Sequence, residues 1–333
     1  MSKILIITDN LPSQINGVVT TYKNIEACAI LDGYTVDYID PRRYCYIDCP
    51  KYNEIKLAWA MPWMVGKEIK KINPDYIHIA TEGPLGMSAR RYLAIRRIRY
   101  NTAYHTKFPE GIKTLLGIPE SVSWRFVRWF HKNSNRVLTT TKSMVDELRS
   151  HGFSNNVISW TRGVDRDIFY PDYQPTQCSK PLLVCVSRVS KEKNLEAFFE
   201  LDYPNATKIM VGDGPMLETY KQQYTDVHFV GAKRGSELAH YYQNADCFVF
   251  PSRWDTFGLV MIEAMACGTP VAAYPVQGPL DVIDQNETGI MDEDLAIAVE
   301  KCLYLDREQV YTKSIKWSWQ NAWDIFKDNL IEK

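Results

Sequence analysis

Short runs of consecutive apolar residues alternate with longer helix-like segments along the whole chain. Ile4–Thr8, Thr35–Ile39, Tyr76–Ala80, Arg136–Thr140 and Asn156–Trp160 read as strands of the first half. Leu182–Ser187, Lys208–Val211, Val227–Val230, Cys247–Phe250 and Pro270–Ala273 read as strands of the second. Strands that are apolar on successive positions are covered on both faces, which is the condition of a parallel sheet. Segments such as Gly66–Ile72 and Met144–His151 read as helices between them. Strand–helix alternation over 333 residues predicts an α/β chain with two doubly wound domains.

Three prolines fall between Pro171 and Pro181, a stretch with little hydrophobic periodicity. The expected division is therefore a first domain over 1–168, a linker over 169–181 and a second domain over 182–310. A helical segment over 311–333, aromatic-rich from Trp317 to Leu330, is expected to return to the first domain.

A hydrophobic fraction of 45% rules out a disordered chain. No apolar run approaches the roughly 18–20 residues of a membrane span. The opening Met1-Ser2-Lys3-Ile4-Leu5-Ile6-Ile7 runs into a strand and lacks a signal-peptide pattern, so a cytoplasmic chain is expected. The eight cysteines form no CxxC pair and are expected to be reduced thiols, largely buried.

Charge is divided unevenly. Residues 1–165 carry 23 Lys and Arg against 15 Asp and Glu, and residues 166–333 carry 16 against 25. Two basic–aromatic stretches, Arg90–Tyr100 and Trp124–Lys132, lie in the basic half. They suggest peripheral contact with an anionic membrane at its inner face, and nucleic acid is the disfavoured alternative. Ordinary helices with core aromatics and solvated arginines would read the same way.

The densest chemistry lies in Phe250-Pro251-Ser252-Arg253-Trp254-Asp255-Thr256-Phe257-Gly258-Leu259-Val260-Met261-Ile262-Glu263, closed by Gly268-Thr269-Pro270. A strand ends at Phe250, and a loop leads to a helix that starts near Gly258 and stops at Gly268. Ligands of open α/β sheets bind beyond the carboxyl ends of the strands. A glycine loop at a helix start offers bare N–H groups to a phosphate. Asp255 and Glu263 are placed to meet hydroxyls there; on spacing alone, a turn cap and a solvated helix residue fit equally.

This segment resembles the Glu-x7-Glu signature of the family 4 retaining glycosyltransferases, here Asp255-x7-Glu263. Further motifs follow the family's order: Asn16-Gly17-Val18, Tyr104-His105-Thr106, Gly163-Val164-Asp165, Arg188-x4-Lys193 and Val211-Gly212-Asp213-Gly214-Pro215. The resemblance spans about residues 4–290 and implies the GT-B fold, two Rossmann-like domains facing across a cleft. It implies transfer of a hexose from a UDP- or GDP-linked sugar to a glycan or lipid-linked acceptor, with retention and a front-face mechanism. Arg188 and Lys193 would hold the donor diphosphate, Glu263 the ribose and Asp255 the transferred sugar. The loop at Phe257, Gly258 and Leu259 would line sugar and phosphate. Asn16 and Gly17, together with Gly212, would approach the donor, Lys233 would lie by the base, and His105 would sit beside the reacting centre. Glu82, Tyr104 and Lys107 are candidates toward the acceptor.

Two departures are visible: Asp255 is one methylene shorter than the family's Glu, and Asn16 stands where many members have a second Gly. The chain is also short around residues 40–60. No cofactor is expected beyond the nucleotide sugar. No metal is expected either, although Asp165-Arg166-Asp167 and Asp292-Glu293-Asp294 spell the Asp-x-Asp pattern of metal-dependent enzymes. A sugar-nucleotide epimerase of the same fold and a transfer-inactive nucleotide-sugar-binding protein are the alternatives. A dehydrogenase is disfavoured, because Gly212-Asp213-Gly214-Pro215-Met216-Leu217 lacks the third small residue of GxGxxG.

Overall fold

A computed structural model describes residues 1–14, 16–49, 52–105, 109, 112–113, 117–154, 156–173, 180–203 and 205–333. The chain forms two compact units, Met1–Arg162 with Trp319–Lys333, and Gly163–Ser318. The division thus falls at Arg162/Gly163, six residues ahead of the expected 168. It also splits the expected 311–333 segment, giving Arg307–Ser314 to the second unit and Trp319–Asp328 to the first. Residues 174–179 of the expected linker lie outside the described residues.

The strands of the first unit are β1 (Lys3–Ile7), β2 (Thr35–Ile39), a hairpin of β3 (Tyr46–Cys49) and β4 (Tyr52–Ala58), then β5 (Tyr76–Ile79), β6 (Asn101–Tyr104), β7 (Arg136–Thr139) and β8 (Asn156–Ser159). Six of them form a parallel sheet in the order β2-β1-β5-β6-β7-β8. The hairpin occupies the stretch around residues 40–60 and, among the described residues, pairs only with itself.

The period-2 geometry of β1 decides its packing. Ile4 and Ile6 face one core with Tyr22, Ile25 and Ala29 of the helix Gly17–Leu31 and with Trp323 and Phe326 of the C-terminal helix. Leu5 and Ile7 face the other with Val65 and Ile69 of Pro62–Ile72 and Leu85, Ala89 and Leu93 of Pro84–Arg96. The C-terminal helix is fastened by polar bonds as well. Trp160 Nε1 donates to Ala322 O at 2.9 Å, and both Trp323 Nε1 and Lys327 Nζ reach Asp32, at 3.0 and 2.7 Å.

The second unit contains β9 (Leu182–Val186), β10 (Thr207–Val211), β11 (Val227–Gly231), β12 (Cys247–Phe250), β13 (Val271–Ala273) and β14 (Gly289–Met291). They form a second parallel sheet in the order β11-β10-β9-β12-β13-β14. Again alternate residues of the central strand serve two cores: Val184 and Val186 one, Leu183 and Cys185 the other. Cys185, Cys247, Cys267 and Cys302 are buried free thiols, whereas Cys45 is exposed.

Candidate functional site

The central strand of the second unit delivers the first cation. β9 ends at Val186, and Arg188 follows in the loop at the carboxyl edge of the sheet. That loop is laced to the end of β10: Ser187 N donates to Val211 O at 3.1 Å, Val189 N to Asp213 O at 2.9 Å, and Met216 N to Val189 O at 3.0 Å. Gly212 makes the lacing possible. Its φ is +150°, and a Cβ there would lie 1.8 Å from Ser187 O. A side chain at 212 would therefore push the Arg188 loop away from β10.

The chain next makes a 3-10 turn over Lys191–Lys193 and reverses at Asn194, whose φ is +53°. Asn194 Nδ2 donates to Pro251 O at 3.0 Å, tying this turn to the loop after β12. Lys193 Nζ meets Asp255 Oδ1 at 2.6 Å, both side chains about one quarter exposed. The shorter Asp thus sits against the cation that the family resemblance assigns to the diphosphate.

Gly258 adopts φ +83° and precedes the helix Leu259–Ala266, whose first turn has no side-chain cap. Its leading N–H groups are thereby left to whatever lies in front of them. A Cβ at 258 would lie 2.8 Å from Met261 Cε and 3.1 Å from Phe250. Phe257 itself is buried and packs edge-on against Trp317, so only its backbone is offered at the site.

Glu263 lies one turn inside the helix. It is part-buried, and its carboxyl accepts a hydrogen bond from Tyr242 OH at 3.0 Å. Burial raises this carboxyl from 4.5 to about 7, against the opposing effect of the tyrosine bond. Tyr242 was not legible as a site residue: it is one apolar position on the helix Gly235–Asn244. Lys233 pairs with Glu237 on the surface of that helix's start.

Both Asp-x-Asp triplets are spent on local structure. Asp165 accepts from Asp167 N at 3.1 Å, Asp292 accepts from Asp294 N at 3.1 Å, and Asp294 caps the helix Leu295–Cys302.

In the first unit, Asn16 has a plain structural use. Its Oδ1 accepts from Val19 N at 2.9 Å and caps the helix that opens at Gly17. His105, the residue after β6, is buried in a polar chain. Arg162 donates to His105 Nδ1 at 2.9 Å; His105 Nε2 lies 3.0 Å from Tyr22 OH, which lies 2.7 Å from His78 Nε2. A guanidinium only donates, so Nδ1 accepts and His105 carries its proton on Nε2. Tyr22 then accepts from His105 and donates to His78. Burial first, then the Arg162 charge, holds His105 well below its usual range, and burial alone takes His78 to about 3. Both rings are neutral. Both His105 nitrogens are thus engaged within the unit, and its imidazole is a fixed packing and polar element there. Arg162 also donates to Trp160 O at 2.7 Å and Thr161 O at 2.9 Å. Its position beside Gly163-Val164-Asp165, and a histidine inside the buried run Tyr76–Ile79, were the sequence signals for this chain of groups.

Tyr104 is also buried, stacked against Trp124, so its side chain belongs to the core. Glu82 is nearly enclosed, with Oε1 3.3 Å from His131 Nε2. Lys107 lies outside the described residues. The structure therefore brings Arg188, Lys193, Gly212, Asp255, Gly258 and Glu263 to the carboxyl edge of one sheet. Asn16, Gly17, Glu82 and His105 lie at the carboxyl edge of the other.

The description "Glycosyl transferases group 1" matches residues 173–299, and "Glycosyltransferase Family 4" matches residues 22–168. The chain is 28% identical over 289 residues to a sulfoquinovosyl transferase of Arabidopsis thaliana, covering 82% of this chain and 55% of that protein. It is 30% identical over 272 residues to a GDP-mannose-dependent alpha-mannosyltransferase of Mycobacterium tuberculosis, covering 78% of this chain and 69% of that one. Among solved structures, Anabaena HepE in complex with UDP superposes with a TM-score of 0.74 at 14% identity, over 98% of this chain and 99% of that one. At such identity the likeness speaks to the fold, which is GT-B.

Proposed function

The chain belongs to the group 1 and family 4 glycosyltransferases, and on that premise we propose that it moves a hexose from a nucleoside-diphosphate sugar to a hydroxyl of a glycan or lipid-linked acceptor. The observation that carries this reading is the cluster at one sheet edge: Lys193 against Asp255, the uncapped helix start at Gly258, and Glu263 one turn inside. Arg188 and Lys193 supply fixed cations for a departing diphosphate, and the helix start supplies amides. Glu263 takes the ribose and Asp255 a hydroxyl of the sugar.

The bond from the anomeric carbon to the diphosphate oxygen breaks while the bond to the acceptor oxygen forms on the same face. The acceptor proton passes to the leaving phosphate. The anomeric configuration is retained, and the protein contributes positioning and electrostatics. On this reading side-chain cations do the work that a divalent metal does elsewhere. Family relatives are named for GDP-mannose and sulfoquinovose transfer, and the Anabaena neighbour is solved with UDP. The donor is therefore sought among UDP, GDP, ADP and their sugar conjugates.

The test is thermal stability with each of these, with and without EDTA. A ligand at about 100 times its Kd stabilises the native state by about 2.7 kcal/mol. One nucleotide is expected to raise Tm regardless of EDTA, and its sugar conjugate to be consumed with a retained anomer by NMR. A shift that requires Mn²⁺ would overturn the metal-free reading. No shift with any nucleotide would favour a degenerate cleft that has lost transfer.

A further inference from the structure

The two basic–aromatic stretches read from the sequence are divided by the fold: Arg90, Leu93, Trp124, Val127 and Phe130 are buried, whereas Arg91, Arg96, Arg97, Arg99 and Arg125 stay exposed. Arg90 is buried, lies 3.9 Å over the Trp129 ring and donates to Phe130 O at 3.0 Å. Trp124 is buried and stacked on His151, and Arg128 donates to His151 O at 3.1 Å. An adjoining surface of the first unit is both apolar and basic. Trp59 is 74% exposed and Trp63 66%, with Met61 and Met64 each at 38%. Four large apolar side chains within six residues, all open to solvent, form the kind of patch that marks an interaction site.

The helix Pro62–Ile72 turns Val65, Gly66 and Ile69 inward. Its exposed residues are Trp63, Met64, Lys67, Lys70 and Lys71. At 100° per residue these five fall within one arc of about 120°. The first turn of that arc is apolar and the rest is cationic. Glu68, at its border, is engaged by Arg43 at 2.9 Å. Among the described residues, none of the three lysines has an ion-pair partner. The helix packs closely on Pro84–Arg96, where a Cβ at Gly66 would lie 2.2 Å from the Tyr92 ring. That neighbour adds exposed Arg91 and Ile95, and no Asp or Glu occurs between Glu82 and Glu110.

We propose that this face, Trp59–Met64 with the lysines of the helix that follows, docks the first unit onto an anionic lipid surface. Tryptophan favours the boundary between headgroups and acyl chains, and lysines just beyond it meet the negative surface potential. The sequence order places the apolar anchors together and the cations together, as a surface entered to one depth requires. Nucleic acid would use the same cations and stack on Trp59 and Trp63, but it gains nothing from Met61 and Met64, which an acyl-chain boundary takes up with them. The inference is independent of the transfer chemistry.

The experiment is flotation of the full chain with vesicles of phosphatidylcholine, and of phosphatidylcholine with phosphatidylglycerol. The wild-type chain is expected to float with the anionic vesicles and to be released in 1 M salt. Trp59→Ser/Trp63→Ser should lower binding at least tenfold, and Lys67→Ala/Lys70→Ala/Lys71→Ala on the order of 100-fold. All five positions are exposed, so melting temperatures should hold. Hydrogen exchange of the unmodified chain gives a check free of variants: anionic vesicles should slow amide exchange over 59–64. The proposal fails if the chain ignores anionic vesicles, if it binds neutral ones equally, or if both variants bind like wild type. It fails also if RNA protects 59–64 and vesicles do not.

Discussion

Tyr242→Phe removes one hydroxyl and leaves the ring that fills the core between Phe169 and Phe248. That hydroxyl donates to Glu263 Oε2 at 3.0 Å and is the one group that opposes the burial raising the carboxyl to about 7. A hydrogen bond to a carboxylate contributes about 1.5–3 kcal/mol. One pKa unit is about 1.4 kcal/mol, so the Glu263 midpoint should move up by about 1–2 units. A ribose diol donates to the ionised carboxylate, so nucleotide binding should strengthen as pH rises through about 7 in the wild type. In Tyr242→Phe the same rise should appear at about pH 8–9. Calorimetric titration of the preferred nucleoside diphosphate from pH 5.5 to 9.5 measures this. Glu263→Gln supplies the baseline, since it retains the titration of the ligand's own phosphate. The linked stability has the same origin: the raised carboxyl's contribution is fully present below its unfolded value of 4.5 and is lost as pH rises through about 7. An unmoved midpoint in Tyr242→Phe, or a Glu263→Gln curve identical to wild type, would refute the assignment of Glu263 and its partner.

Arg188→Ala should cut kcat/KM by about 10²–10³ if a fixed cation meets the leaving group, whereas Lys180→Ala should stay within about twofold; equal small losses would remove Arg188 from the site. Gly212→Ala, with Ser187 O 1.8 Å from the new Cβ, should lose at least ~2 kcal/mol in urea unfolding, and unchanged stability would mean that the Arg188 loop yields easily. Arg162→Leu removes the donor to His105 Nδ1 and leaves buried acceptors at Trp160 O and Thr161 O, at a cost of about 2–5 kcal/mol. In the same variant, nitrogen NMR should show His105 losing its single Nε2–H tautomer; an unaltered tautomer would mean that Tyr22 alone fixes the ring.

Much of the cluster in the second unit was legible because its chemistry is local in sequence. Strand, loop and helix follow one another from Cys247 to Ala266, so spacing alone puts Asp255 and Glu263 around one helix start. Of the strands that escaped notice, the hairpin β3–β4 and β6 lack a run of apolar residues, and β14 is too short to show one. β6 reads Asn-Thr-Ala-Tyr, and it is buried because Asn101 Nδ2 reaches Asn329 O at 2.7 Å and Thr102 meets His131. β14 has three residues and pairs only with β13 and at its margin.

By itself, the sequence determined five strands of each parallel sheet and the loops that follow them. These depend on period, polarity and turn chemistry, which act between near neighbours. Only the tertiary structure decided that Lys193 meets Asp255, that Tyr242 holds Glu263, that Arg162 fixes His105, and that Trp59 and Trp63 face outward. Each of these depends on which segments, 21 to 62 residues apart in the first three cases, are folded against one another. Burial, which sets the titration of Glu263 and His105, exists only once that packing is complete.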